Sequence, residues 1–497
     1  SSATSAATAR RGTRSNRRAP PTSRRRASLN VRSAATAGAG TTDLLLKSTH
    51  QMILSKGIDT QNMEVSKIFR DSEYPEITYV ERRNGDKENK LADYLFKESG
   101  VVSISGPSKT GKSALLKHVI NNKEVAPDIM VDVRGNKITE SEDFWATVLK
   151  EMGEPTTREY TNKSGTKSKS GFSIGAAVQM ITGKYHSSET DVEFDTIVEK
   201  HDLGLNTVLE IFVDDDTGEL RDFVIFVDDA HKIPDSAYEN TAESIKEGVD
   251  KGFNFCTGYI DYRSDALTSY DIDLSSRVES IKLESWDTDE LMEIAHKGFD
   301  ELDTDVSDET IEILANESIQ SPQIMQKLCY ELCTENNIYH STRSNKKIDE
   351  SEDAIRDILR SVGNSLSELY STELDILSGA AKGRSDKQFN WVDGNSGDRY
   401  DTVLRGIAST PAQLSYELES LKHKIYEQCE EEAPDSGNIT SDIKNRMSVW
   451  IDESNRSEDF VFDYVEDREK EVQIPEPALV FSIRWSDVIE YEPTLHR

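Results

Sequence analysis

The sequence predicts an α/β protein: parallel strands between two helical layers, a helical segment after them, and a last module of helices closed by a hairpin. Three observations carry that expectation. Residues 101–120 read VVSISGPSKTGKSALLKHVI, a β-branched apolar run that breaks into a Gly/Ser/Lys loop and reopens as a helical pattern. Residues 221–231 read RDFVIFVDDAH, in which five consecutive apolar residues end in two acids, as a strand buried on both faces should. Beyond residue 401 helical periodicity gives way to short alternating segments around a charged turn, Glu466 to Lys470.

The loop Gly106-Pro107-Ser108-Lys109-Thr110-Gly111-Lys112-Ser113 fits G-x-x-x-x-G-K-[ST] in full, and a flanking strand and helix are the context this motif requires. Its glycines let backbone N–H groups turn around a polyphosphate, and the helix N-terminus adds partial positive charge. Lys112 can reach the β- and γ-phosphates, and the Ser113 hydroxyl can ligate Mg²⁺. This predicts a parallel αβα sandwich of P-loop NTPase type, with ATP and Mg²⁺ as cofactors. In the second motif Asp228 would hold Mg²⁺, directly or through water, while Asp229 orients or deprotonates the attacking water. Nearby, Asp214 to Gly218 (DDDTG) resembles the start of a calcium loop, but its twelfth position is Ile225, so a turn is expected there.

At 497 residues the chain should hold two to four domains. No run approaches eighteen apolar residues, so no membrane partner is expected. The net charge of −33 hides an asymmetry: residues 1–42 hold nine arginines and no acid, leaving 50 basic against 92 acidic residues in the body. That body should repel nucleic acid unless a basic patch or high salt intervenes. Four cysteines, Cys256, Cys329, Cys333 and Cys429, suggest a reducing compartment. Cys329 and Cys333, four apart on a helical pattern, fit core packing rather than metal binding.

Residues 1–42 are Ser, Ala, Thr and Arg almost throughout and should be disordered. Their lack of acids is typical of organelle transit peptides; a nucleic-acid-binding tail and an upstream stretch remain alternatives. The expected location is therefore cytoplasmic, or plastid or another organelle if the tail is a transit peptide. The ATPase core should span 43–285, with a helix near Lys90–Lys97, a strand at Ile129–Val133 and an amphipathic helix at Asp143–Leu149. Residues 156–188 read as an inserted hairpin or mobile loop whose Lys163, Lys167, Lys169 and Lys184 are solvated charge or a contact for nucleic acid or a partner.

With these motifs in place, the chain resembles the AAA+/STAND division of P-loop ATPases, near the origin-recognition-like branch and its prokaryotic members that end in a winged helix. The motifs cover roughly residues 65–340, and more faintly 400–487. The resemblance implies that Tyr79 or Val80 packs on adenine, unless both are plain core. It puts a catalytic sensor on the strand Phe253–Tyr259, with Thr257 or Arg263 as candidates. It makes Arg277 either a finger reaching a neighbour's nucleotide in a homo-oligomer or a surface arginine. A helical lid should occupy 286–340, starting at Asp287 or Thr288, with further helices at 307–317 and 321–336. Where AAA+ proteins carry a Gly-x-x-Arg pattern, this chain reads Gln320-Ser321-Pro322-Gln323. The arginine is missing, and Pro322 is nearer the STAND habit of a proline turn against the base. Slow, switch-like ATP hydrolysis is implied.

Residues 341–400 should form a connector, one long helix at 353–379 and a polar linker at 380–400. Residues 401–490 should form a winged-helix-like module: two helices broken at Thr410-Pro411, a third at 438–453, then alternating segments at 460–465, 471–474 and 479–485. The third helix offers Lys444, Asn445 and Arg446 beside Asp442, Asp452 and Glu453, thin equipment for phosphate contacts. A protein partner is thus at least as well served as DNA. Two functions from different classes follow: a nucleotide-controlled switch or assembly factor in regulation or defence, and a DNA-binding replication initiator or loader. A third reading keeps the ATP pocket without turnover.

Overall fold

The computed structural model of the chain describes residues 63–95, 100–122, 129–139, 144–152, 158–161, 196–199, 204–213, 218, 220, 222–260, 278–341, 347–378, 387–444, 463–465, 471–474 and 476–496. The tail at 1–42, the four loop lysines, Asp214–Thr217, Arg263, Arg277, Asn445, Arg446 and the turn at 466–470 lie outside these residues.

After a one-turn helix α1 (Val65–Ile68) and α2 (Asp86–Leu95) come β1 (Gly100–Ser105), α3 (Lys112–Asn122), β2 (Ile129–Arg134) and α4 (Phe144–Glu151). A short antiparallel pair, β3 (Arg158–Thr161) with β4 (Thr196–Glu199), and α5 (Leu205–Phe212) precede β5 (Phe223–Asp228), α6 (Asp235–Asp250), β6 (Asn254–Tyr259) and β7 (Val278–Lys282). Strands β1, β2, β5, β6 and β7 form one parallel sheet in the spatial order β2-β5-β6-β1-β7. Only β6 separates the strand before the phosphate loop from the strand before the two acids. Because all five run the same way, both motifs emerge at one edge of the sheet.

Both faces of this sheet are covered, which is why β1 and β5 read as near-continuous apolar runs. Side-chain alternation sends Val102, Ile104, Val224, Phe226 and Cys256 toward α2 and α3. The opposite set, including Val131, Ile225, Val227, Phe255 and Tyr259, packs on α4, α5 and α6. Phe212 stacks on Phe223 with ring centroids 3.8 Å apart, and Phe223 meets Phe253 edge-on at 4.5 Å. Each fully buried Phe, Val or Ile side chain of β5 contributes about 1.5–3 kcal/mol. Gly248 lets α6 approach: a Cβ there would stand 2.7 Å from the Phe255 ring.

The lid follows as α7 (Thr288–Leu302), α8 (Asp308–Glu317) and α9 (Pro322–Glu335). Of the two candidate caps, Asp287 starts α7: its side chain accepts from Glu290 N–H, and Glu290 accepts from Asp287 N–H. Ser307 and Ser321 cap α8 and α9 by accepting from the N–H groups of Thr310 and Ile324, with Pro322 in the first turn of α9.

Three expectations for the C-terminal half are corrected. The helix foreseen at 353–379 is two, α10 (Glu352–Leu369) and α11 (Ser371–Leu377), because Tyr370 leaves helical geometry at φ −109°, ψ 23°. The polar linker is not a bare connection but a small hairpin: β8 (Phe389–Asn390) pairs with β9 (Ser396–Gly397), and buried Trp391 donates to Thr402 Oγ1 at 3.1 Å under the Arg405 guanidinium. The module then runs α12 (Arg399–Ala408), β10 (Ser415–Glu417), α13 (Leu418–Glu427), α14 (436–444), β11 (Asp463–Val465) and β12 (Glu471–Gln473), its strands forming an antiparallel sheet in the order β10-β12-β11. The segment at 479–485 is no strand but helix α15 (Pro477–Trp485), every residue of which is buried; an apolar run buried all round has no period by which to tell the two apart.

One hydrophobic core runs from α1 through the lid and α10 to α15. At its centre the buried Arg484 donates to both carboxylate oxygens of buried Glu317, at 2.7 and 2.9 Å, and Trp485 Nε1 donates to the same carboxylate at 2.8 Å. Gly363 lets α10 touch the end of α15, where a Cβ would lie 2.6 Å from the Trp485 carbonyl carbon.

Candidate functional site

A cavity of about 640 Å³ lies at the C-terminal edge of the sheet. One wall is the 108–113 segment with Asp228, Asp229 and His231; the other is drawn from Thr78, Val80, Ile294, Pro322, Gln326, Tyr370 and Glu476.

The loop owes its shape to tight packing and left-handed backbone. A Cβ on Gly106 would stand 2.7 Å from the Leu283 carbonyl oxygen, and Lys109 and Gly111 have φ of +58° and +94°. Thr110 Oγ1 donates to the Pro107 carbonyl at 2.9 Å, while Trp286 Nε1 donates to the Thr110 carbonyl at 2.9 Å. Lys112, the first residue of α3, is buried, and its Nζ donates to the carbonyls of Gly106 at 3.1 Å and Pro107 at 2.9 Å. The first N–H groups of α3 have no acceptor within the helix, which suits them to an anion.

Ser113 Oγ donates to Asp228 Oδ2 at 2.7 Å, closing the gap between phosphate loop and acidic strand. The core is an α/β P-loop NTPase fold. Burial raises the Asp228 carboxyl above its ordinary range against the hydrogen bond from Ser113, and the neighbouring Asp229 charge adds to the rise. Asp229 sits in left-handed backbone at φ +50°, its carboxylate half-exposed and 3.6 Å from Lys232. Gly135, not singled out in the sequence, makes that turn possible: a Cβ there would lie 2.3 Å from the Asp229 carbonyl oxygen. A hydroxyl and a carboxylate suit a hard cation such as Mg²⁺, which relies on phosphates and water as much as on protein. No cluster of three or more His, Cys, Asp or Glu able to hold a metal occurs among the described residues.

Thr257 stands apart. It follows the parity of Phe255 and Tyr259, on the face of the sheet away from Asp228, and its hydroxyl lies 3.5 Å from the Val102 carbonyl. On the face of Asp228, β6 offers Gly258 instead, where a Cβ would meet Asp228 Oδ1 at 3.0 Å. Tyr79 and Val80 both line the cavity, but the Tyr79 ring stacks on His118 at 3.8 Å and its hydroxyl donates to Glu88 at 2.7 Å. Pro322 lines the cavity from the first turn of α9.

A long-range bridge was invisible in the sequence. Lys109 Nζ lies 3.0 Å from the Glu476 carboxylate and donates to Tyr370 Oη at 3.1 Å. Burial opposes the Lys109 charge, but Glu476 and Tyr370 outweigh it and hold the ammonium above its ordinary pKa. Tyr370 is pushed up to about 12 by burial and by Glu476. Glu476 also caps α15 by accepting from Ala478 N–H.

No family model matches the chain, and no curated protein matches it. Among solved structures it is similar to a Walker-type ATPase of Pyrococcus abyssi, at 15% identity and TM-score 0.45 over 84% of this chain and 98% of that one. It is also similar to the Aeropyrum pernix ORC2 protein, at 13% identity and TM-score 0.44 over 85% and 97%. The Thermotoga maritima RuvB Holliday junction branch migration motor matches at 14% identity and TM-score 0.32 over 59% and 81%. No described helix is long and apolar enough to cross a membrane.

Proposed function

We propose that this chain is an ATP-binding, slowly ATP-hydrolysing protein of the AAA+/STAND kind that works as a nucleotide-controlled switch or assembly factor. The observation that carries the switch reading is the Lys109 bridge: the phosphate loop and the cap of α15 share one cation. A polyphosphate in the loop competes with Glu476 for Lys109, so occupancy is felt in the C-terminal module. In this reading Lys112 contacts the β- and γ-phosphates, and Ser113 and Asp228 hold Mg²⁺, which neutralises phosphate charge when bound. Asp229 orients the attacking water, and Pro322 packs on the base. The missing lid arginine fits slow turnover. The C-terminal module, read as a winged helix, docks on this chain or a protein partner, in a homo-oligomer or with another protein in regulation or defence.

The test is phosphate release by the full chain with Mg-ATP, together with hydrogen exchange in residues 476–485. Slow release with faster exchange in ATP than in ADP is expected, and Lys112→Ala should abolish both. No release at all would leave only a nucleotide pocket, exchange indifferent to nucleotide would sink the switch, and nanomolar retention on duplex DNA in moderate salt would favour the replication-loader reading.

A further inference from the structure

The lid end of the cavity contains a polar group that the phosphate chemistry does not use. Gln326, on α9, lines the cavity and is 2% exposed. Its Nε2 donates to Thr78 Oγ1 at 2.6 Å, and the Thr78 hydroxyl donates to the Ile68 carbonyl at 3.2 Å. This relay fixes which way the amide points. A backbone carbonyl can only accept, so the single hydroxyl proton of Thr78 is committed to Ile68. Thr78 can then only accept from Gln326, and the atom facing it must be the NH₂ group. Oε1 is left as an acceptor, buried and without a hydrogen-bond partner. Such groups are uncommon in native proteins and call for an occupant.

The surroundings say what kind. Pro322, four residues before Gln326, shares its face of α9, and Val80 and Ile294 line the same cavity. These three apolar side chains beside one fixed acceptor suit a flat heterocycle that carries an exocyclic amino group. The phosphate loop at the other wall sets the polarity, with phosphates on the sheet side and the base on the lid side.

We propose that Gln326 Oε1 accepts from the 6-amino group of adenine and makes this site select ATP over 6-oxopurine nucleotides, with Thr78 as the positioning residue that holds the amide in that sense. The inference rests on the ATP-binding reading above. A 6-oxo group would set acceptor against acceptor, whereas a flipped amide would welcome it.

Displacement of fluorescently labelled ATP from the full chain by ATP, ITP and inorganic tripolyphosphate tests this. ATP should bind roughly 10- to 100-fold more tightly than ITP. Thr78→Val frees the amide to turn over and should shrink that ratio chiefly by improving ITP. Gln326→Met should bring ATP down to the level of ITP while leaving tripolyphosphate unchanged. ATP and ITP binding alike to the wild-type chain would overturn the proposal by itself, without any variant, provided tripolyphosphate binds. Failure of tripolyphosphate to bind would instead remove the phosphate-loop reading, and this proposal with it.

Discussion

The two walls of the cavity are built differently. The sheet-side wall comes from two short stretches, 108–113 and 228–231, each self-contained in sequence and joined by the Ser113–Asp228 contact. The lid-side wall gathers Thr78, Ile294, Gln326, Tyr370 and Glu476 from five separate segments. A wall made of local motifs can be read from one stretch at a time and carries the chemistry common to phosphate handling. A wall assembled over long range exists only once the chain has folded, and it can therefore report on the state of the fold.

Substitutions on each side should fall into two classes. Asp229→Asn removes a group on the sheet side that would act on water, so phosphate release should fall about 10²- to 10⁴-fold while ATP binding holds; loss of binding instead would mean that the two acids cannot be separated. Glu317 is not among the residues that line the cavity, but Glu317→Leu leaves Arg484 buried without its countercharge and should cost about 3–5 kcal/mol in denaturant unfolding. The double variant Glu317→Leu/Arg484→Leu should recover part of that loss. Equal instability of single and double variants would show that packing, rather than charge, joins lid to C-terminal helix there. The smallest effect is expected at Trp286→Phe, which deletes the bond to the Thr110 carbonyl and should weaken ATP binding about 2- to 10-fold by titration.

The same contrast explains what the sequence made legible. The strand–loop–helix at 101–120 and the apolar strand before Asp228 were readable because spacing and burial are local properties. Thr257 was not placeable, because which face of β6 meets the site depends on the register Val224↔Asn254 between strands, and no single strand encodes its partner's register. Trp391 was overlooked because one aromatic in a polar stretch gives no periodicity, and its partner Thr402 comes from the helix beyond. Residues 479–485 misled because side chains buried on every side of a helix mimic the interior of a sheet. Glu476 and Gln326 gave no signal at all; their meaning lies in Lys109 and Thr78, hundreds of positions away.

The shared core from α1 to α15 has a consequence for anyone dividing the chain. A cut between residues 395 and 401 follows the change in sequence texture, yet it would strip Glu317 from Arg484 and open Gly363's seam against Trp485. The excised piece would carry a raw apolar flank and would associate with itself. Its behaviour in a binding assay would describe that exposed flank rather than the surface the intact protein presents.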